Sequence, residues 1–158
     1  MTETEKEENE MFWETYEIFT NYLKEKTNVS VLRNEEAEAD DIIGTLVPRQ
    51  APHENILILS SDGDFLQLQK YSNVKQYNPS QKKYVKSENP ALELKEKIIR
   101  GDKGDGIPNM FSPSDCFVRD LRQKPITQKT LDKYLYEDPK NYTVDEITNF
   151  GRNQTLID

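Results

Sequence analysis

The chain has 158 residues, enough for one ordinary domain of about 100–150 residues with a modest core. Hydrophobic residues make up 34% and charged residues 32%, which is polar for a globular protein, yet eight Tyr, six Phe and one Trp remain to fill an interior. The net charge of −8 argues against a nucleic-acid partner until the positions of the charges are considered, because phosphates demand Lys and Arg. The opening MTETEKEENE and the seven carboxylates discussed below carry more negative charge than the whole chain, so the remainder is mildly basic. From Lys70 to Lys103, nine Lys and Arg side chains face only Glu88, Glu93, Glu96 and Asp102.

No apolar run approaches the ~20 residues needed to cross a bilayer, and the acidic opening is unlike a signal peptide, which is basic and then apolar. The expectation is a cytoplasmic chain with no membrane partner. Cys116 and His53 each stand alone. The cysteine reads as a small buried hydrophobe and the histidine as a loop residue.

After an acidic tail over residues 1–10, Phe12, Tyr16, Phe19 and Leu23 recur at helical spacing and predict an amphipathic helix over about 11–27. Val29 to Leu32 reads as a short strand. Asn34 with Glu35, Glu36 and Glu38 reads as a helix start, with Ile42, Ile43, Leu46 and Val47 as the buried face and Pro48 and Pro52 as the stop. Asn55-Ile-Leu-Ile-Leu-Ser is an unbroken apolar run of strand length, as in a central parallel strand covered on both faces. Asp62-Gly63 then turns into a short helix carrying Phe65, Leu66 and Leu68. Val74–Tyr77 and Lys83–Lys86 predict a hairpin around Asn78-Pro79-Ser80-Gln81, and a helix follows over Pro90–Arg100. The loop Gly101–Pro108 leads to short helices near 115–121, 126–136 and 143–150. This order indicates an α/β layer whose parallel strands present ligands at their carboxyl ends.

Three acidic clusters stand at the ends of these elements: Glu38-Ala-Asp40-Asp41, Asp62-Gly-Asp64 and Asp102-Lys-Gly-Asp105. Each alone is ordinarily a dipole-complementing helix start, a turn or a loop. Together, on converging elements, these carboxylates would repel one another unless a multivalent cation neutralised them. Oxygen ligands without His or Cys select Mg²⁺ or Mn²⁺. Two such ions, about 3.5–4 Å apart, are suited to hydrolysing a phosphodiester. An EF-hand is excluded, since Leu66 and Gly104 fall where oxygen ligands are required.

The same residues carry a family resemblance. Ala37-Glu-Ala-Asp-Asp-Ile42, Ser60-Ser-Asp-Gly-Asp-Phe-Leu-Gln-Leu68 and Gly101-Asp-Lys-Gly-Asp-Gly106 resemble the successive acidic motifs of the flap endonuclease and 5′-3′ exonuclease family. Asn73-Val-Lys-Gln-Tyr-Asn-Pro79 with Lys82-Lys-Tyr-Val-Lys86 is most similar to its T-even phage ribonuclease H branch. The resemblance implies a three-layer PIN-like α/β fold with a parallel sheet, incomplete at the N-terminus. The metal-binding part would span 11–108 and a small helical region 109–158. It implies catalytic roles for Glu38, Asp40, Asp41, Asp62, Asp64 and Asp105. The first four would surround one ion, with Asp64 and Asp105 toward a second, and Asp102 matches the motif as a further metal ligand. Lys82, Lys83, Lys86 and Lys103 would meet the phosphates of flap DNA or an RNA–DNA primer end.

Family members also carry an earlier Asp-bearing strand and a basic arch, which nothing before Met11 supplies, so a complementing N-terminal nuclease chain is expected. Met110-Phe-Ser-Pro-Ser-Asp-Cys-Phe117 stands where the family has a glycine-rich helix-two-turn-helix. Two other readings remain open: a relic or accessory protein that binds nucleic acid or metal without cutting, and a compact PIN-type ribonuclease.

Overall fold

The computed structural model describes residues 2–158. The chain forms two compact units, Met1–Ile43 and Gly44–Asp158.

The first unit is dominated by helix α1, Glu3–Lys26. It starts eight residues before the expected point because the acidic opening is itself a helix start. Thr2 Oγ1 accepts the Glu5 amide at 3.3 Å, and Glu5 Oε2 accepts the Thr2 amide at 2.6 Å, which closes a capping box. Glu3 and Glu5 in the first turn and Lys24 and Lys26 in the last complement the helix dipole. Phe12, Trp13, Tyr16, Phe19 and Tyr22 are exposed along it. The expected strand Val29–Leu32 does not form; these residues are irregular backbone with no strand pairing.

Helix α2, Ala39–Gln50, begins later than the Asn34 signal indicated. The Asn34 side chain instead accepts the Glu36 amide at 2.8 Å and holds a local turn. Pro48 lies inside the helix rather than ending it. Only Arg49 and Gln50 of the helix follow, and the Ala51 amide still bonds the Val47 carbonyl at 2.8 Å, so the missing proline donor costs a single hydrogen bond.

In the second unit, strand β1 (Ile56–Leu59) pairs parallel with β2 (Val74–Asn78), which pairs antiparallel with β3 (Lys83–Val85). The sheet order is β1-β2-β3, so β1 is an edge strand. This corrects the expectation of a strand covered on both faces: Ile58 is buried while Leu57 and Leu59 are 50% and 68% exposed. A 3₁₀ helix over Asp64–Lys70 returns the chain from β1 and buries Phe65 and Leu68.

Helix α3, Pro90–Arg100, has the bounds the sequence predicts. Asn89 Oδ1 caps the Leu92 amide at 3.1 Å, Pro90 occupies the first turn, and Gly101 ends the helix at φ +69°. A side chain at Gly101 would drive its β-carbon into the Ile107 and Pro108 carbonyls, so only glycine fits. Helix α4 (Gln128–Tyr136) and helix α5 (Val144–Ile157) pack against α3, which also packs against the 3₁₀ helix. Ile99, Met110, Leu131, Leu135 and Tyr142 form the core of this side. No helix forms at 115–121; Asp120 takes φ +52° and the segment is a run of turns.

Candidate metal centre and basic hairpin

The second and third acidic clusters lie in the Gly44–Asp158 unit, each placed by a different element. Asp62 and Asp64 follow the carboxyl end of β1. Asp62 Oδ1 accepts the Asp64 amide at 2.9 Å, which turns the chain into the 3₁₀ helix. The buried Gln76 of β2 supports this turn from below, donating from Nε2 to the Ser60 carbonyl at 3.0 Å and the Asp62 carbonyl at 2.5 Å. Asp102 follows α3 and holds its own loop, with Oδ1 accepting the Gly104 amide at 2.9 Å and its carbonyl accepting the Ile107 amide at 2.7 Å. Asp105 is exposed on the same loop.

Asp64 and Asp102 meet at Lys97 in the last turn of α3. Lys97 Nζ donates to Asp64 Oδ1 and pairs with Asp102 Oδ2 at 3.1 Å. The three side chains are 27–38% exposed, so solvent reaches the cluster but does not fully screen it. Burial alone would lower the Lys97 ammonium, but the hydrogen bonds and charges of Asp64 and Asp102 outweigh it and hold the pKa above its usual value. The Lys97 hydrogen bond, assisted by the Gly104 and Asp105 amides, holds the Asp102 carboxyl below the usual range against the effect of burial. The site thus gathers hard oxygen donors around one positive charge. Oxygen donors of this kind are those a hard divalent cation takes.

The remaining predicted ligands are Glu38, Asp40 and Asp41, in the Met1–Ile43 unit at the opening of α2. Asp41 Oδ2 accepts the Glu38 amide at 3.0 Å and Asp40 Oδ1 accepts the Asp41 amide at 3.0 Å, so two of the three carboxylates cap the helix. All three side chains are exposed. Among the described residues, no three acidic, His or Cys side chains are gathered into one metal-holding group. Asp64 and Asp102 are the pair the fold joins.

Residues the sequence did not single out buttress the Asp102 loop. Asn153 of α5 is fully buried and donates to the Ile98 carbonyl at 2.8 Å and the Pro108 carbonyl at 2.9 Å, bridging the two sides of the loop. Arg152 adds a bond to the Pro108 carbonyl at 3.1 Å. Asn109 is also buried, and its Nδ2 donates to the Lys124 carbonyl at 2.9 Å. In the sequence, Lys97 stands out only as part of a basic stretch. Its position five residues before Asp102, across a helix-ending glycine, is the one signal that could have paired them.

The predicted phosphate contacts are exposed. Lys82 sits in the hairpin turn at φ +52°, Lys83 lies in β3, and Lys86 follows it. Tyr84 of β3 is exposed and packs edge-on against Tyr77 of β2, with ring centroids 5.3 Å apart. Lys103 projects from the loop that carries Asp102. Cys116 is buried and His53 lies in an exposed turn, as expected. No helix among the described residues is long and apolar enough to cross a membrane.

Comparison with known proteins extends this picture. The chain is 34% identical to the ribonuclease H of Enterobacteria phage T4, over 97% of its own length and 54% of that protein's, so it spans about half of its relative. Its fold matches a bacteriophage T5 protein co-crystallised with metal ions at a TM-score of 0.69 and 20% identity, covering 100% of this chain and 64% of that one. It also matches the bacteriophage T5 flap endonuclease in a pseudo-enzyme–product complex with DNA and metal ions, at a TM-score of 0.68 and 19% identity, covering 100% and 62%. These likenesses agree with the α/β architecture of a PIN-like 5′ nuclease. Residues 4–98 match the family described as 5′-3′ exonuclease, N-terminal resolvase-like domain, and the chain belongs to that family.

Proposed function

We propose that this chain is the metal-binding part of a Mg²⁺- or Mn²⁺-dependent 5′ nuclease that acts on flap DNA or RNA–DNA ends. The observation that carries the reading is the meeting of Asp64 and Asp102, from two separate acidic motifs, around a single positive charge. Asp62, Asp64, Asp102 and Asp105 would hold divalent ions on the Gly44–Asp158 unit. Glu38, Asp40 and Asp41 match the first of the family's acidic motifs and would offer further carboxylates to a metal ion. The reading retains two ions, which when bound supply an activated water and neutralise the leaving oxygen of a phosphodiester.

The chain's own residues prepare that chemistry. The Asp62 and Asp102 turns fix the carboxylates through backbone amides, so their orientation is set before a substrate arrives. Lys82, Lys83 and Lys86 on the hairpin, with Lys103 on the loop, offer exposed ammonium groups to successive phosphates, and Tyr84 offers a ring face to an unstacked base. Such contacts position a strand without reading its sequence, and their strength falls as salt rises.

We also propose a complementing nuclease polypeptide as a partner of this chain. Cleavage of a labelled 5′-flap or RNA–DNA duplex with Mg²⁺ is expected to be very slow with this chain alone and restored by the complementing chain. Asp64→Asn should then abolish cutting while nucleic-acid binding is retained. Efficient cutting by the isolated chain that survives Asp64→Asn would move the active site elsewhere. Binding by the complemented pair without cutting would make this an accessory protein.

A further inference from the structure

The reading of a divalent-metal centre assigns no role to Lys97, although Asp64 and Asp102 both hold its ammonium. We propose that Lys97 is a displaceable counter-ion: its ammonium neutralises Asp64 and Asp102 when no metal is present, and a divalent cation binding these carboxylates must drive it out.

Three features support displacement over a permanent clamp. The Asp64 and Asp102 carboxylates each hold Lys97 from a different element, so one ammonium occupies the space between two motifs. Lys97 is partly exposed, and its four-carbon stem allows the charge to swing into solvent while the backbone stays in α3. The Asp102 loop does not depend on Lys97 for its shape, since it is tied by the Gly104 and Ile107 amides and anchored by Asn153 and Arg152 on the Pro108 carbonyl. The loop can therefore exchange one cation for another without refolding. Such a counter-ion stabilises the empty protein and weakens its metal binding by the same exchange, since a metal must compete with a charge already present. Lys95, two residues earlier, cannot substitute, because its ammonium is bound to the Leu135 and Glu137 carbonyls at 2.9 Å.

The inference rests on the metal-binding reading, and its test separates the two. Mn²⁺ is titrated calorimetrically into the wild-type chain, Lys97→Met and Lys97→Arg, with thermal melts of each protein with and without Mn²⁺. Lys97→Met is expected to melt lower when empty, to bind Mn²⁺ about tenfold tighter, and to gain more in melting temperature on saturation. Lys97→Arg, which keeps the charge, should stay within about threefold of wild type. Equal Mn²⁺ affinity in wild type and Lys97→Met, with the same loss of melting temperature in both states, makes Lys97 a structural clamp and overturns the proposal alone. Failure of all three proteins to bind Mn²⁺ overturns the metal reading and the proposal with it. If Lys97→Met does not fold, a Mg²⁺ titration of the wild type observed by NMR at the Lys97 ε-methylene decides. The side chain should pass from fixed to freely rotating, and an unchanged signal at saturation overturns the displacement.

Discussion

Within the Gly44–Asp158 unit, the core of the helical side and the edge strand of the sheet differ in how completely they bury their apolar residues. Ile99, Met110 and Leu131 are 0–1% exposed and bind α3, α4 and the segment after Gly101 into one core. The sheet leaves Leu57 and Leu59 of its edge strand largely open. Burial is what converts an apolar side chain into stability, at roughly 25 cal/mol per Å². The helical core therefore encloses its side chains most completely, while the sheet buries Ile58 and Val74 and presents the turn that carries Asp62 and Asp64.

Truncation should divide the two sides most sharply. Ile99→Ala removes a fully enclosed side chain from the helical core and should lower stability by about 2–5 kcal/mol in urea denaturation. A loss under about 1 kcal/mol would mean that the core relaxes around the gap and is not the stabilising centre.

Alkaline titration probes the same side with a smaller effect. That side holds a network in which the Tyr134 hydroxyl donates to Glu146 Oε1 at 2.6 Å and the Tyr142 hydroxyl donates to the Tyr134 carbonyl at 2.8 Å. The hydrogen bond to Glu146, then burial, pushes the Tyr134 phenol up to about 12, and burial with nearby carboxylates takes Tyr142 to about 12. A raised folded-state pKa contributes stability that is intact below the ordinary phenol value and lost as pH rises through the folded value. The unit should therefore weaken between pH 10 and about 12. Tyr134→Phe should cost about 1 kcal/mol at neutral pH and flatten that decline, as read by denaturation at successive pH values. Burial pushes Glu146 up, but the Tyr134 hydroxyl and the Thr143 amide and hydroxyl hold it below the usual carboxylate range. Its share of stability is present above pH 4.5 and fades as pH falls through the lower folded value. A flat profile at both ends would remove the network from the account.

Leu59→Thr completes the contrast with the smallest change, within about 0.5 kcal/mol, because the side chain already faces solvent. A cost comparable to that of Ile99→Ala would show that a partner covers β1 in solution.

How far the sequence could be read follows the same division. Helix α3 was legible to the residue because Asn89, Pro90 and Gly101 are local signals that act through backbone geometry alone. The hairpin of β2 and β3 was legible for the same reason, with Asn78 and Pro79 opening its turn. The covered central strand was misread, because an apolar run such as Ile56–Leu59 does not reveal how many strands lie beside it. The onset of α2 was misread because Asn34 and Glu38 offer competing starts, and the Glu38–Asp41 bond decided between them. The acidic motifs stood out as three clusters, whereas the Lys97 contact depends on the path of the Gly101–Pro108 loop. No local pattern encodes that path. Asn153, which fixes the loop from α5, looks in the sequence like any polar helix residue.

The burial of Cys116 gives the helical side a built-in clock. It is the chain's single cysteine and is fully enclosed among the turns that follow Met110. A thiol reagent can reach it only when that region opens, so the labelling rate of the unaltered protein reports the frequency of opening. Slower labelling in the presence of nucleic acid or Mn²⁺ would register, at one atom and without an engineered probe, how strongly events at the acidic loop are felt in the interior behind it.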